Sequence, residues 1–243
     1  MKIEMLFPEV ANLHGDNHNI VYLGQCRPDA TIIRTALTDS PTFATAPVDL
    51  IYLGPMPESA QPKVVARLLP HRERIAELIE SGTVFLFTHN AFETLGETLQ
   101  TWDGGEIAGL GLFPLRSHFN PFERYAAKVL GQAEGTTIVG YKAQFSFVDA
   151  DDALPGFLVA ERGIGRTRST RVEGVRRHNF IGTSLIGPLL INNPLFTKAL
   201  LHLIDPDSEP VLAHEDLALA AYEARLADFR DPKRWHPIER LVK

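Results

Sequence analysis

The residues best placed to do chemistry lie at the end of a strand-like run. Val84–Phe87 is apolar and β-prone, and it leads into Thr88, His89 and Asn90, which we call the elbow. The apolar residues that follow have helical spacing: Phe92, Leu95 and Leu99. A strand that turns tightly into a helix lifts one side chain above the sheet edge, beside free N–H groups, and α/β enzymes present a nucleophile in this way. The sequence therefore predicts His89 at the nucleophile position, with Asn90 capping the helix.

Three other side chains could act as nucleophiles. Thr88 and Ser184 both end predicted strands and could use His89 as a base, although the sequence shows no carboxylate that would orient it. Cys26 is the single cysteine, so no intrachain disulfide can form. It lies far in sequence from the elbow, and a packing role is favoured over a nucleophilic one.

A second cluster of polar residues lies early in the chain. His14, Asp16 and His18 have a spacing that can hold a metal ion. Asp16 is also placed to open a short helix predicted for Asn17–Cys26. The residues alone leave both roles open.

The arginine segment (Arg162–Arg177) carries six arginines and one acid in an otherwise acidic protein. Gly163–Gly165 predicts a flexible loop. The segment is either a solvated surface loop or an anion-binding or docking loop that uses Arg166, Arg168 and Arg171, because guanidinium groups suit carboxylates and phosphates.

Composition limits the class of protein. The chain has 243 residues, 44% of them hydrophobic and 22% charged, which is ordinary for a soluble globular protein. A net charge of −6 argues against general nucleic-acid affinity. No run of 18 or more apolar residues occurs, so no membrane span is expected. We expect a soluble, cytoplasmic protein.

Strands alternate with helices over the first hundred residues, which predicts a mostly parallel sheet. An amphipathic helix is predicted for Pro62–Glu80, with a kink at Pro70. The remaining predicted elements are strands at Lys2–Phe7, Ala30–Ala36, Val48–Leu53, Ile107–Leu112, Ala126–Leu130, Thr136–Tyr141, Phe145–Val148, Phe157–Ala160 and Asn179–Ser184, and helices at Pro194–Ile204 and Asp216–Phe229. A soft boundary near Asp205 separates a domain of residues 1–205 from a charged helical extension of residues 206–243.

Several segments, taken in order, resemble the class I glutamine amidotransferases of the cobyric-acid-synthase type. They span roughly residues 2–204 and comprise Phe7–Asn19, Asp49–Gly54, Gly82–Gly96, Phe122–Val129, Ile138–Tyr141 and Gly174–Leu200. The resemblance implies a three-layer α/β, flavodoxin-like domain with a mostly parallel central sheet. It gives the loop around Asp16 a turn-and-capping role, so no metal and no cofactor is predicted. Within the family, the chain is most similar to amidotransferase subunits that pair with a Mur-ligase-like subunit.

The chain departs from this family at each chemically essential position. In the family, a cysteine thiolate attacks the amide of glutamine, a histidine shuttles protons, backbone N–H groups hold the oxyanion, and ammonia passes to a synthetase. The resemblance places His89 at the cysteine position and Ile186 at the histidine position. It places Pro55, which has no N–H, at a glycine of the oxyanion loop. Asn90 and Ala91 replace small glycines after the nucleophile.

The favoured interpretation is a degenerate, non-catalytic amidotransferase-like subunit that supports a Mur-ligase-like or other ATP-dependent synthetase. One alternative is an active subunit that supplies ammonia for amidation in cell-wall or cobalamin-type biosynthesis. Another is a small-anion or amino-acid binding module. Its binding residues would include Asn90 and Arg124, because the resemblance places Arg124 near the glutamine-binding cleft, together with the arginine segment.

Overall fold

The structure is a computed structural model that describes residues 1–151 and 153–234. Its strands are β1 (Lys2–Leu6), β2 (Thr31–Thr35), β3 (Leu50–Leu53), β4 (Val84–Thr88), β5 (Thr98–Gln100), β6 (Glu106–Ala108), β7 (Leu115–Phe119), β8 (Tyr125–Ala133), β9 (Thr136–Gln144), β10 (Ser146–Ala150), β11 (Leu158–Arg162), β12 (Val172–Glu173), β13 (Val175–Arg177) and β14 (Phe180–Thr183). Its α-helices are α1 (His18–Cys26), α2 (Gln61–Leu68), α3 (Arg72–Glu80), α4 (Leu189–Asn192), α5 (Pro194–Ile204) and α6 (Glu215–Arg230).

A six-stranded sheet with the order β13-β14-β4-β3-β1-β2 forms the centre of the fold. The strands from β14 to β2 are parallel, and β13 pairs antiparallel with β14 at one edge. Strands β3, β4 and β14 are buried along their whole length, as expected for apolar runs covered on both faces. The predicted mostly parallel sheet is confirmed, and the carboxyl ends of β1, β3, β4 and β14 meet at one edge.

Helices cover both faces of this sheet and complete three layers. On one face, Ile51 and Leu53 of β3 share an apolar cluster with buried residues of α2 and α3. On the other face, Leu50 and Tyr52 share a cluster with residues of α1 and α5. Successive side chains of a strand point to opposite faces, so β3 contributes to both clusters.

Two smaller sheets, β10-β7-β5-β6 and β12-β11-β8-β9, extend the domain. Helix α6 packs on the second of these sheets, where Tyr222 Oη donates a hydrogen bond to the Thr137 carbonyl at 2.8 Å. The rings of Phe229 and Tyr141 also meet there, with centroids 5.3 Å apart. Helix α6 lies within the predicted extension, of which residues 235–243 fall outside the part that the structure describes.

The prediction of a helix that continues from the elbow to Leu99 is wrong. Residues His89–Leu95 form a short 3₁₀ helix that ends at Gly96, and Leu99 lies in strand β5. A Cβ at Gly96 would lie 2.7 Å from the Leu115 carbonyl oxygen, so only glycine permits this close approach to β7. The apolar spacing that suggested a helix therefore serves a 3₁₀ turn followed by a strand.

The arginine segment is also ordered differently from the prediction. It contains strands β12 and β13 instead of forming one flexible loop. The predicted strand at 107–112 is shortened to Glu106–Ala108, and β5 and β7 were not predicted.

The long helix predicted at 62–80 is interrupted at Pro70, where the sequence predicts a kink. Helix α2 ends at Leu68, a 3₁₀ turn spans Leu69–His71, and α3 begins at Arg72. Among the residues that the structure describes, no helix is both long enough and apolar enough to cross a membrane.

Candidate functional site

His89 lies at the carboxyl end of β4, in the backbone conformation of a tight elbow. Its φ of 54° is in the left-handed region, which residues other than glycine rarely adopt. The ring is 3% exposed, and Nε2 lies 3.2 Å from the Ala143 carbonyl oxygen. Burial lowers the pKa of His89, which favours the neutral imidazole. Because a carbonyl oxygen can only accept, Nε2 is the donor in the contact with Ala143. Nδ1 is buried and has no hydrogen-bond partner within the described residues.

Asn90 does not cap a helix, because its side chain binds the loop that follows β3. The Met56 N–H donates to Asn90 Oδ1 at 3.1 Å, and Asn90 Nδ2 donates to the Met56 carbonyl at 2.8 Å. Pro55 precedes Met56 and has no N–H. Neither Pro55 nor Met56 therefore has an N–H free to hold an oxyanion.

Ile186 lies in the turn between β14 and α4. Its N–H donates to the Tyr141 carbonyl at 2.9 Å, and its side chain is buried. An aliphatic side chain carries no exchangeable proton, so this position cannot deliver one to a leaving group.

Asp16 connects the loops around the elbow, and this role was missed by the sequence analysis. Its carboxylate accepts hydrogen bonds from Thr88 Oγ1 at 2.5 Å, Tyr52 Oη at 3.0 Å and Asn19 Nδ2 at 3.0 Å. Burial raises its pKa although these donors act in the opposite direction. The predicted capping role is corrected, since Asn17 precedes α1 and no side chain caps that helix.

The other predicted nucleophiles are held by structural contacts. The Thr88 hydroxyl donates to Asp16, and the Ser184 N–H donates to Glu173 Oε1 at 2.8 Å. Burial raises the pKa of the Cys26 thiol, and Sγ accepts a hydrogen bond from the Ala213 N–H at 3.3 Å. Of these contacts, only the one between Thr88 and Asp16 places a carboxylate against the hydroxyl or thiol of a predicted nucleophile.

The early polar cluster does not converge on one point. The His14 ring lies 5.9 Å from the His89 ring, centroid to centroid, whereas His18 Nδ1 contacts the Gly15 carbonyl at 2.9 Å. Asp16 points to the elbow instead. In residues 1–151 and 153–234, no group of three histidine, cysteine or acidic side chains is arranged to hold a metal.

A buried carboxyl group lies beneath the elbow. Glu93 accepts hydrogen bonds from the hydroxyl groups of Ser117 and Ser146, the latter at 2.6 Å. Burial raises the pKa of Glu93 to about 7. Gln61 joins this group to the elbow, because its Nε2 donates to the Asn90 carbonyl at 3.1 Å.

A second buried charge cluster supports the end of β14. Lys142 Nζ lies 3.4 Å from Glu173 Oε1, and both side chains are fully buried. Thr183 Oγ1 donates to Glu173 at 2.8 Å. Burial lowers the pKa of Lys142, which Glu173 opposes.

The arginines predicted to bind anions contact different partners in the structure. Arg166 is buried, and its guanidinium donates to the carbonyls of Gly174, Leu154 and Pro155, so its assignment to an accessible loop is corrected. Arg168 pairs with Glu123 at 2.5 Å. Arg171 donates to the Glu161 carbonyl at 2.7 Å, and the exposed Arg124 lies over the ring of Phe145 at 5.8 Å.

Comparison with known proteins identifies the family to which the chain belongs. A sequence model of the CobB/CobQ-like glutamine amidotransferase domain matches residues 2–194. Among curated proteins, the chain is similar to subunit GatD of lipid II isoglutaminyl synthase (glutamine-hydrolyzing) from Staphylococcus aureus (strain N315). The identity is 26% over 194 residues, which cover 78% of each chain.

Solved structures with the same fold are more distant in sequence. PurLQS from Thermotoga maritima has a TM-score of 0.51 and 14% identity, over 93% of this chain and 98% of that one. The glutaminase domain of Trypanosoma brucei CTPS with bound acivicin has a TM-score of 0.54 and 9% identity, over 86% of this chain and 95% of that one. At these identities the likeness shows a shared fold.

Proposed function

Because the chain belongs to the CobB/CobQ-like glutamine amidotransferase family, we propose that it is a non-catalytic subunit of that family which supports a partner synthetase. The observation that carries this proposal is the pair of hydrogen bonds between Asn90 and Met56. They occupy the Met56 N–H, and the neighbouring Pro55 has no N–H to offer to an oxyanion.

The other departures from the family concern proton delivery and nucleophilic attack. Removal of a single oxyanion donor costs about a hundred- to a thousand-fold in rate. Attack on an unactivated amide also needs a proton for the leaving nitrogen, and Ile186 cannot supply it. His89 could attack an acyl carbon through Nδ1 while Nε2 donates to the Ala143 carbonyl, but the proton for the leaving nitrogen would still be missing at Ile186.

The partner we propose is an ATP-dependent, Mur-ligase-like synthetase. The support comes from the relative in Staphylococcus aureus, which is described as a subunit of a synthase. The same likeness supports our further proposal of a cell-wall amidation pathway and a cytoplasmic location. The chain would stabilise, gate or localise the catalytic partner.

One observation favours an active amidotransferase instead. His89 keeps the left-handed backbone conformation of an elbow, and its Nδ1 is unpartnered among the described residues. A nucleophile needs a lone pair that no hydrogen bond occupies, so the test has to separate the two functions.

The test co-expresses this chain with a Mur-ligase-like synthetase. We expect the two to elute as one complex, and we expect synthetase turnover that requires ammonium and gains nothing from glutamine. Removal of this chain should lower either the melting temperature or the ammonium-dependent rate of the partner. Turnover driven by glutamine and lost on His89→Ala would identify an active amidotransferase, and separate elution with an unchanged partner would contradict a supporting role.

A further inference from the structure

A pocket with several aromatic side chains in its lining lies beside the elbow. Its volume is about 580 Å³, within the range of small-molecule sites. It is lined by Pro57, Glu58, Ser59, Trp102, Phe119, Pro121 and Phe145. We call it the aromatic pocket. Glu58 follows the loop that Asn90 binds, and Phe145 lies two residues after Ala143, so the pocket borders the candidate site.

The aromatic walls are held in place by backbone contacts. The rings of Phe119 and Phe145 are tilted by 59°, with centroids 6.4 Å apart. The Asn120 N–H donates to the Phe145 carbonyl at 2.9 Å, and the Phe119 N–H donates to Gln100 Oε1 at 3.1 Å. Trp102 is 57% exposed at the mouth. The walls formed by Phe119 and Phe145 are therefore preformed, and the exposed ring of Trp102 is available to a ligand.

Glu58 supplies the charge of this lining. Within residues 1–151 and 153–234, its carboxylate forms no hydrogen bond and no ion pair, although the side chain is half-buried. A half-buried carboxylate with no counter-ion, beside three aromatic rings, favours a positively charged group.

The protein already places a cation on one of these rings. The Arg124 guanidinium lies over the face of Phe145 at 5.8 Å, from outside the lining of the pocket. Attraction between a guanidinium and an aromatic face is a general feature of proteins. Arg124 therefore shows that this ring accepts a cation, and it is a rival for a ligand that carries one.

We propose that the aromatic pocket binds an organic cation, an ammonium or guanidinium group on an aliphatic frame. Glu58 is its counter-ion, and Trp102, Phe119 and Phe145 enclose its apolar part. This binding site is additional to the supporting role and does not depend on it, because no partner chain takes part.

The test titrates the full chain with butylguanidinium and butylammonium, and with 1-pentanol and butyrate as neutral and anionic probes. Trp102 fluorescence reports binding in a Trp235→Phe background, since the chain has two tryptophans. We expect saturable binding of the two cations, at least about tenfold tighter than 1-pentanol, and no binding of butyrate.

Variants with opposite expected effects make the test decisive. Glu58→Gln should weaken cation binding about tenfold, whereas Arg124→Ala should strengthen it about two- to fivefold, because it removes a like charge and a rival for Phe145. Glu106→Gln, at an exposed acid, should leave the affinity unchanged. The proposal is overturned by equal binding of 1-pentanol, by absence of saturation, by an unchanged affinity in Glu58→Gln, or by butyrate binding that Arg124→Ala abolishes. Unchanged melting temperatures confirm that the variants are folded.

Discussion

Asn90 binds the backbone of Met56 through both of its amide atoms, accepting from the Met56 N–H at 3.1 Å and donating to the Met56 carbonyl at 2.8 Å. The elbow is thus connected to the loop after β3 by a contact that occupies the Met56 N–H, one donor that could otherwise face an oxyanion. The same contact fixes the loop in place. The proposed loss of catalysis and the local stability therefore rest on the same contact.

Asn90→Ala should lower the free energy of unfolding by about 2 kcal/mol, because it leaves a buried N–H and a buried carbonyl of Met56 without partners. Chemical denaturation monitored by circular dichroism measures this loss. The matched control is Asn12→Ala, at an exposed asparagine that accepts one backbone N–H, where a loss of about 1 kcal/mol or less is expected. Equal losses in the two variants would show that the Asn90 contact stabilises the fold no more than an exposed hydrogen bond does.

Glu93 should make stability fall as the pH rises from about 4.5 to 7. Its pKa is raised from 4.5 to about 7 in the fold, so over this range the folded state binds more protons than the unfolded state. The stability is fully present below the unfolded pKa and is lost as the pH rises through the folded one. A shift of this size corresponds to about 3 kcal/mol. Urea titrations at several pH values measure it.

Glu93→Gln removes the titrating carboxyl group and should flatten the pH dependence of the unfolding free energy over the same pH range. The lowered pKa of His89 acts in the opposite direction, with stability lost as the pH falls, so the difference between wild type and Glu93→Gln isolates the carboxyl group. Glu106→Gln serves as an exposed control. Parallel pH curves for wild type and Glu93→Gln would mean that Glu93 titrates normally.

Lys142→Met should destabilise the fold by about 3–5 kcal/mol, because it leaves Glu173 charged and buried. The double variant Lys142→Met with Glu173→Gln should recover a large part of this loss, since the remaining amide can still accept from Thr183. Equilibrium unfolding of both singles and the double gives the coupling energy. Strictly additive losses would contradict an energetically coupled pair.

Arg166→Ser should cost about 3 kcal/mol, since it removes the donors for three carbonyls in the interior. Arg168→Ser and Arg171→Ser, both at the surface, should each cost about 1 kcal/mol or less. The surface pair is the part of the arginine segment still proposed for docking or anion binding. Its double variant should reduce the salt dependence of partner binding, and an unchanged salt slope would remove that role.

The central sheet could be predicted because buried parallel strands appear in sequence as short apolar runs. Helix α5 was predicted with the bounds that the structure has, since Pro194 begins it and its apolar spacing is regular. Strands β5 and β12 were missed because they are only three and two residues long, too short for a periodic signal.

The polar interior of the site could not be predicted from the sequence. Asp16, Glu93, Lys142, Glu173 and Arg166 are all buried, and charged residues are buried only where distant partners satisfy them. Those partners lie far away in sequence, as with Thr88 for Asp16. The position of Asp16 in the loop directly after β1 was the one available signal, because that loop lies at the same sheet edge as the elbow.

The most direct test of catalytic silence is glutamate release from L-glutamine by the wild-type chain and by His89→Ala, alone and with the partner. We predict that both proteins stay at the rate of buffer. His89→Cys should also stay there, because Ile186, Pro55 and the Asn90 contact to Met56 remain, and members of a catalytic unit are strongly non-additive. Wild-type turnover of about one per second, within the range of ordinary enzymes, that His89→Ala abolishes would contradict the proposed loss of catalysis.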